Sequence, residues 1–173
     1  MKQFILLIII FFLTTGVKCS MEKLDLERKD YLEDKIRLDG FYYSKQDFKK
    51  FFLYKNGIIF NGGSGFNDVS TVDIVNYYKD SINYKNCYIL PYYWGVFQID
   101  NKNNIIIESW VSGDAFGRYT TIKFTGDIFN DTTIILNIPV VYSTVRKPKE
   151  YRTDTFYFHK FNPKPDSTNI FIE

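Results

Sequence analysis

One histidine, two cysteines and scattered carboxylates bound the chemistry open to this chain of 173 residues. Any Ser-His or Cys-His mechanism would have to run through His159, which stands between Phe158 and Lys160 in a β-prone run, with no nucleophile at a fixed spacing. It reads as a surface or rim residue. Gly62-Gly63-Ser64-Gly65-Phe66 resembles a nucleophile elbow only in part, because Gly-x-Ser-x-Gly needs glycine where Phe66 stands. Without the lysine of a phosphate-binding loop, the segment reads as a glycine-rich turn. Glu108, Asp114 and Asp127 could supply a carboxylate pair for glycoside hydrolysis, but charged strand residues ordinarily face water. Asp127 and Asp131 read as turn residues before metal ligands. Two cysteines and one histidine cannot build a familiar structural zinc site. The residues therefore predict no enzyme, no catalytic residue, no metal and no cofactor.

Binding is better supported than catalysis, because 17 Phe, 14 Tyr and 2 Trp make the chain unusually aromatic. Aromatic side chains fill barrel interiors and also line apolar binding cups. Along the run from Arg118, period-two alternation puts Ile122, Phe124 and Ile128 inside and Arg118 at the mouth. In the last such run Phe156 and Phe158 share a face with Arg152. With Trp94, these residues form the candidate ligand-binding set: Trp94, Arg118, Ile122, Phe124, Arg152, Phe156 and Phe158. Two arginines entering an aromatic cavity suit an anionic amphiphile such as a lipid or fatty acid. The alternative, that they cap barrel ends or pair with nearby acids, stays open.

These side chains need a scaffold, and the pattern supplies strands. Leu38–Tyr43 reads as a first strand, and Phe51–Tyr54 and Ile58–Phe60 flank Asn56-Gly57, the strongest short hairpin signal, which predicts a type I′ turn. Ser70-Thr71-Val72-Asp73 resembles a capping box, and Val72, Val75, Tyr78 and Ile82 follow at helical spacing, placing an inserted helix near residues 69–81. Trp94–Ile99, Ile105–Val111, Arg118–Ile128, Thr132–Ile138 and Tyr151–Phe161 complete eight strands. Short consecutive strands with turn chemistry between them predict a mainly β, eight-stranded antiparallel up-and-down barrel, lipocalin-like in shape, with a β-sandwich as the alternative.

Ahead of this domain, Lys2, the apolar run Phe4–Leu13 and the stretch Thr14-Thr15-Gly16 before Cys19 have the layout of a signal peptide over residues 1–19. Ten apolar residues reach about 15 Å as a helix, against roughly 30 Å of hydrocarbon, which disfavours a permanent transmembrane anchor. Cys19 is the candidate lipidation site, although Gly16-Val17-Lys18 matches a lipobox poorly; conventional cleavage after Cys19 remains open. Cys87 reads as a buried, inert thiol. A mature chain starting at Cys19 keeps 155 of the 173 residues, loses Lys2 and Lys18, and balances 20 basic against 20 acidic residues. That neutrality argues against a nucleic-acid partner. Residues 20–37 are charged and read as a solvated linker, with residues 38–173 as one barrel domain.

Gly40-Phe41-Tyr42-Tyr43, Phe52-Leu53-Tyr54-Lys55-Asn56-Gly57, Trp94-Gly95-Val96-Phe97-Gln98-Ile99 and the closing Phe161-Asn162-Pro163-Lys164-Pro165-Asp166-Ser167-Thr168-Asn169 together resemble the small lipocalin-like exported proteins and lipoproteins of Gram-negative bacteria. The resemblance spans residues 38–172, and Gly40-Phe41-Tyr42 stands where true lipocalins carry Gly-x-Trp. It implies a barrel fold and carries over no catalytic residue. The combined expectation is a monomeric, non-enzymatic barrel in the periplasm or at the outer membrane, anchored through a lipid on Cys19 if that residue is acylated. Its partner would be a small apolar or amphipathic ligand. The competing expectation is an envelope protein-protein interaction module with a filled core.

Overall fold

A computed structural model describes residues 21–46, 49–62, 90–112, 118–140, 150–162 and 164–173. The expected helix at 69–81 lies outside them, as do Cys19 and the rest of segment 1–20, and Ser64, Cys87 and Asp114. The strands are β1 (Gly40–Ser44), β2 (Lys50–Leu53), β3 (Ile58–Asn61), β4 (Trp94–Ile99), β5 (Asn104–Ser112), β6 (Tyr119–Asn130), β7 (Thr133–Val140) and β8 (Glu150–Lys160). Each pairs antiparallel with the next, and β8 returns to β1 through a ladder running from Gly40↔Lys160 to Ser44↔Phe156. The result is the closed eight-stranded up-and-down barrel that the alternation predicts, and closure excludes the sandwich.

Two sequence textures produce two kinds of wall. In β6, Ile122, Phe124, Gly126 and Ile128 point inward while Lys123, Thr125 and Asp127 lie exposed outside, the pattern of a strand with one dry face. By contrast β1–β3 are almost continuously apolar, as strands covered on both faces are. Tyr42, Phe51, Leu53 and Ile59 join the interior cluster, while Phe41, Phe52, Tyr54, Ile58 and Phe60 form a second cluster on the outer face with Trp94 and Trp110. Leu24 covers that outer cluster from the N-terminal side, and Phe161, Phe171 and Ile172 cover it from the C-terminal tail.

The segment expected to be a solvated linker is instead fastened to the barrel from Met21 to Arg37. Glu22 N donates to Tyr119 O (3.0 Å), Trp110 Nε1 to Glu22 O (2.7 Å), Leu26 N to Glu108 Oε2 (2.6 Å) and Gln98 Nε2 to Glu27 O (2.7 Å). The segment then crosses one end of the barrel. Tyr31 N donates to Lys55 O (2.7 Å), Ile36 N to Tyr31 Oη (3.1 Å) and Arg37 N to Asp131 O (3.0 Å). Tyr31, 7 % exposed, and Ile36, 4 % exposed, belong to the interior cluster and close that end. The charged residues around them hid this role: most of their side chains face water, while the backbone, a few apolar residues and the side chains of Glu22, Asp25 and Lys35 make the contacts.

The same end carries the short turns. Tyr54 N donates to Ile58 O and Gly57 N to Tyr54 O, with Gly57 at φ 76°. Among the described non-glycine residues only Asn103 has positive φ, so Asn56 does not, and the expected type I′ turn is replaced by a three-residue loop with a left-handed residue at its bulge. Between β4 and β5 the same device recurs with Asn103 at φ 67°, and Asp100 Oδ1 accepts from Lys102 N and Asn104 N. At the opposite end β1, β3, β5 and β7 finish and β2, β4, β6 and β8 begin.

Candidate functional site

That opposite end contains the site. Inward-facing pairs along β4 and β5 run from Ile99↔Ile105 through Phe97↔Ile107 to Gly95↔Ser109, so bulky side chains give way to almost none. Along β1 the inward-facing Tyr42 is followed by Ser44. Gly95 cannot be filled, because a Cβ there would lie 2.3 Å from Glu108 O. Beside Ser109 lies a cavity of about 770 Å³, within the range of small-molecule sites. Phe51, Ile107, Ile122, Phe124, Leu136 and Phe156 supply apolar wall, and Lys49, Asn61 and Ser109 supply polar groups.

Beside this wall lies a buried carboxylate. Asp154 is 2 % exposed and faces inward opposite Leu136; Ser44 Oγ donates to its Oδ2 (2.5 Å) and Thr155 N to its Oδ1 (2.8 Å). Lys49 reaches solvent, yet the surrounding wall desolvates its ammonium enough to hold its pKa below the ordinary lysine value, opposed by the attraction of Asp154. The arrangement can hold an apolar body among aromatic and aliphatic groups and meet a polar end at Lys49 and Asn61.

The sequence-predicted residues divide. Ile122, Phe124 and Phe156 line the cavity. Arg118 and Arg152 stand at the same end, at or beside the starts of β6 and β8, where both are exposed. Trp94 does not join them: it is fully buried on the outer face, its ring centroid 4.9 Å from that of Phe60. Phe158 points inward but one layer too deep, packing edge-on against Tyr42 at 5.4 Å and under the Arg37 guanidinium at 4.7 Å.

No family model, curated protein or solved structure matches this chain. Among the described residues no group of three or more His, Cys, Asp and Glu could hold a metal ion. Glu108, 0 % exposed, lies on the outer face, where it accepts from Leu26 N and sits 3.8 Å from Lys123 Nζ, so its burial serves attachment of the N-terminal segment. His159 packs beside Phe41 on the outer face, with ring centroids 5.1 Å apart. Lys49, Asn61, Ser109 and Asp154 escaped the sequence reading. Asp154 shares a face with Arg152 and Phe156, which was the available signal; its charge argued for water instead.

Proposed function

We propose that this protein is an exported, non-enzymatic binding barrel that takes a small apolar or amphipathic ligand into the cavity, in keeping with its resemblance to lipocalin-like exported proteins. The cavity of about 770 Å³ is the observation that carries the reading, since a protein built only to dock others needs no such loss of core volume. Apolar wall below and Lys49 and Asn61 above suit a ligand with one apolar and one polar end. The layout of residues 1–19 supports export, and Cys19 is the proposed acylation site.

Titration with a fluorescent long-chain fatty acid, displaced by unlabelled palmitate, tests the binding. Saturable uptake is expected. Ser109→Leu extends into the cavity and should weaken uptake by at least about tenfold, at a stability cost of no more than about 3 kcal/mol. No uptake by the wild-type protein, or uptake indifferent to Ser109→Leu, rejects the cavity as the site and favours the interaction module. The intact mass of the envelope-fraction protein beside Cys19→Ala decides the tether.

A further inference from the structure

Past Ser44, β1 no longer accompanies β8. Ser44 N donates to Lys49 O (2.9 Å) and Gln46 N to Ser44 Oγ (3.1 Å) as the chain turns toward β2, and the last β1–β8 pair is Ser44↔Phe156. β8 runs on without it, held to β7 as far as Val140↔Glu150. Phe158 N donates to Thr132 O (2.8 Å) on the β7 side, and Phe161 N, just past β8, to Asp39 O (3.1 Å) on the β1 side. Even-numbered residues of β8 therefore bond β7, and odd-numbered Tyr151, Thr153 and Thr155 turn their N–H and C=O groups to the side that β1 has left. Thr155 N is taken by Asp154 Oδ1 (2.8 Å), whose other oxygen accepts from Ser44 Oγ, so the buried Asp154 stands where the ladder stops. Among the described residues no hydrogen bond reaches the backbone of Tyr151 or Thr153 on that side.

β6 shows what such an edge takes. Its last pair with β7 is Thr125↔Asn137, and Ile128 N donates to Asn103 O on the β5 side, which leaves Tyr119 and Thr121 facing away from β5. There Met21 bridges to Tyr119 in parallel, Glu22 N donates to Tyr119 O (3.0 Å) and Thr121 N to Glu22 Oε2 (2.9 Å). The chain thus lays an extended segment of its own along one open edge. At β8 the row of N–H and C=O groups fits an extended polypeptide backbone, whatever its sequence. The outward positions of the β7–β8 ladder, from Pro139↔Tyr151 to Thr133↔Tyr157, carry no charge, and Lys45 Nζ lies 5.1 Å from the Tyr157 ring centroid. Tyr151 is 63 % exposed among them. We propose that the β8 edge at Tyr151–Thr155 binds an extended segment of another protein by strand addition, with uncharged residues at the positions that face outward beside Tyr151. Five strand residues give it a length of roughly 13 Å. This site lies on the wall and goes beyond ligand uptake by the cavity.

Selection of a displayed library of random heptapeptides on the full chain tests it. Peptides with β-branched or aromatic residues at alternate positions should be enriched, and a bound peptide should slow hydrogen exchange at Tyr151 and Thr153 severalfold. Thr153→Pro removes an edge N–H that the fold does not use, so urea stability should hold while peptide affinity falls at least about tenfold. Thr153→Val keeps the N–H, loses the same hydroxyl bond to Asn137 Oδ1 and should bind as the wild type does. Methylating alternate backbone nitrogens of the peptide should abolish binding in one of the two registers, a readout that stands even where Thr153→Pro misfolds. No enrichment, or enriched peptides indifferent to Thr153→Pro and to backbone methylation, overturns the proposal. So does a dimer of the wild-type chain that Thr153→Pro dissolves, which would give the edge to a second copy. No step uses a cavity ligand, so failure here and failure of fatty-acid uptake are separate results.

Discussion

At the sealed end of the barrel, short turns bring strand ends together over a core of Phe97, Ile105 and Ile134, and the chain itself returns to cover them with Tyr31 and Ile36. The mouth end is built oppositely: inward-facing Gly95, Ser109 and Ser44, and a buried Asp154, stand in place of apolar fill. The contrast teaches how one barrel can be firm and hollow at once. Layers of large side chains and hydrogen-bonded turns at one end tie β2 to β3, β4 to β5 and β6 to β7. The cavity end then carries polar groups and empty volume while the filled end supplies the packed core.

Removing core volume at each end breaks the contrast most directly. Phe97→Ala, in the filled layers, should cost about 3–5 kcal/mol in urea unfolding. Phe124→Ala, half-buried at the cavity wall, should cost less than half as much and act mainly on ligand uptake. Equal losses would mean that the two ends share the stability evenly.

A smaller effect is expected at the turn. Gly57→Ala forces a Cβ into left-handed backbone at φ 76° and to within 2.1 Å of Lys29 O, for a loss of about 2 kcal/mol. Unchanged stability would show that neither the turn nor the crossing segment is needed to close that end.

The last effect is a pH dependence. Near the sealed end Lys164 donates to Leu38 O and Leu53 O and lies 4.0 Å from the Tyr54 ring centroid, and burial lowers its pKa from 10.5 to about 8. Between those values the unfolded chain holds a proton that the folded chain has released, so stability should rise with pH from about 8 to about 10.5. Tyr42 acts in the other sense: burial raises its phenol above the ordinary 10, so stability should fall as pH climbs past 10. Urea unfolding across this range should find greatest stability near pH 10. Lys164→Met should flatten the rise, whereas Lys49→Met, at the more exposed mouth, should leave most of it. The reverse ranking would place the buried ammonium that matters at the wrong end.

Much of this was legible beforehand, for identifiable reasons. All eight strands could be located because β-prone runs alternate with turn residues. Ile122, Phe124 and Phe156 could be placed inside because their outward neighbours, such as Lys123 and Tyr157, have one dry face to avoid. Trp94 could not be placed so: Trp94-Gly95-Val96-Phe97 is apolar on both faces, and alternation has no sign when both faces are covered. Phe158 was assigned the right face and the wrong height, since period two carries no information about depth along the barrel.

By itself, then, the sequence determined the strands, their number and order, and the inward residues of β6 and β8, because these follow from local alternation and turn chemistry. Only the tertiary structure decided that Met21–Arg37 is part of the barrel, that its chain enters at the mouth, and that Lys49, Asn61 and Ser109 meet Phe51, Phe124 and Phe156 around one cavity. Those are relations between residues far apart in the chain. They depend on barrel closure and strand stagger, which bring separate strands to a common height and which no local pattern records.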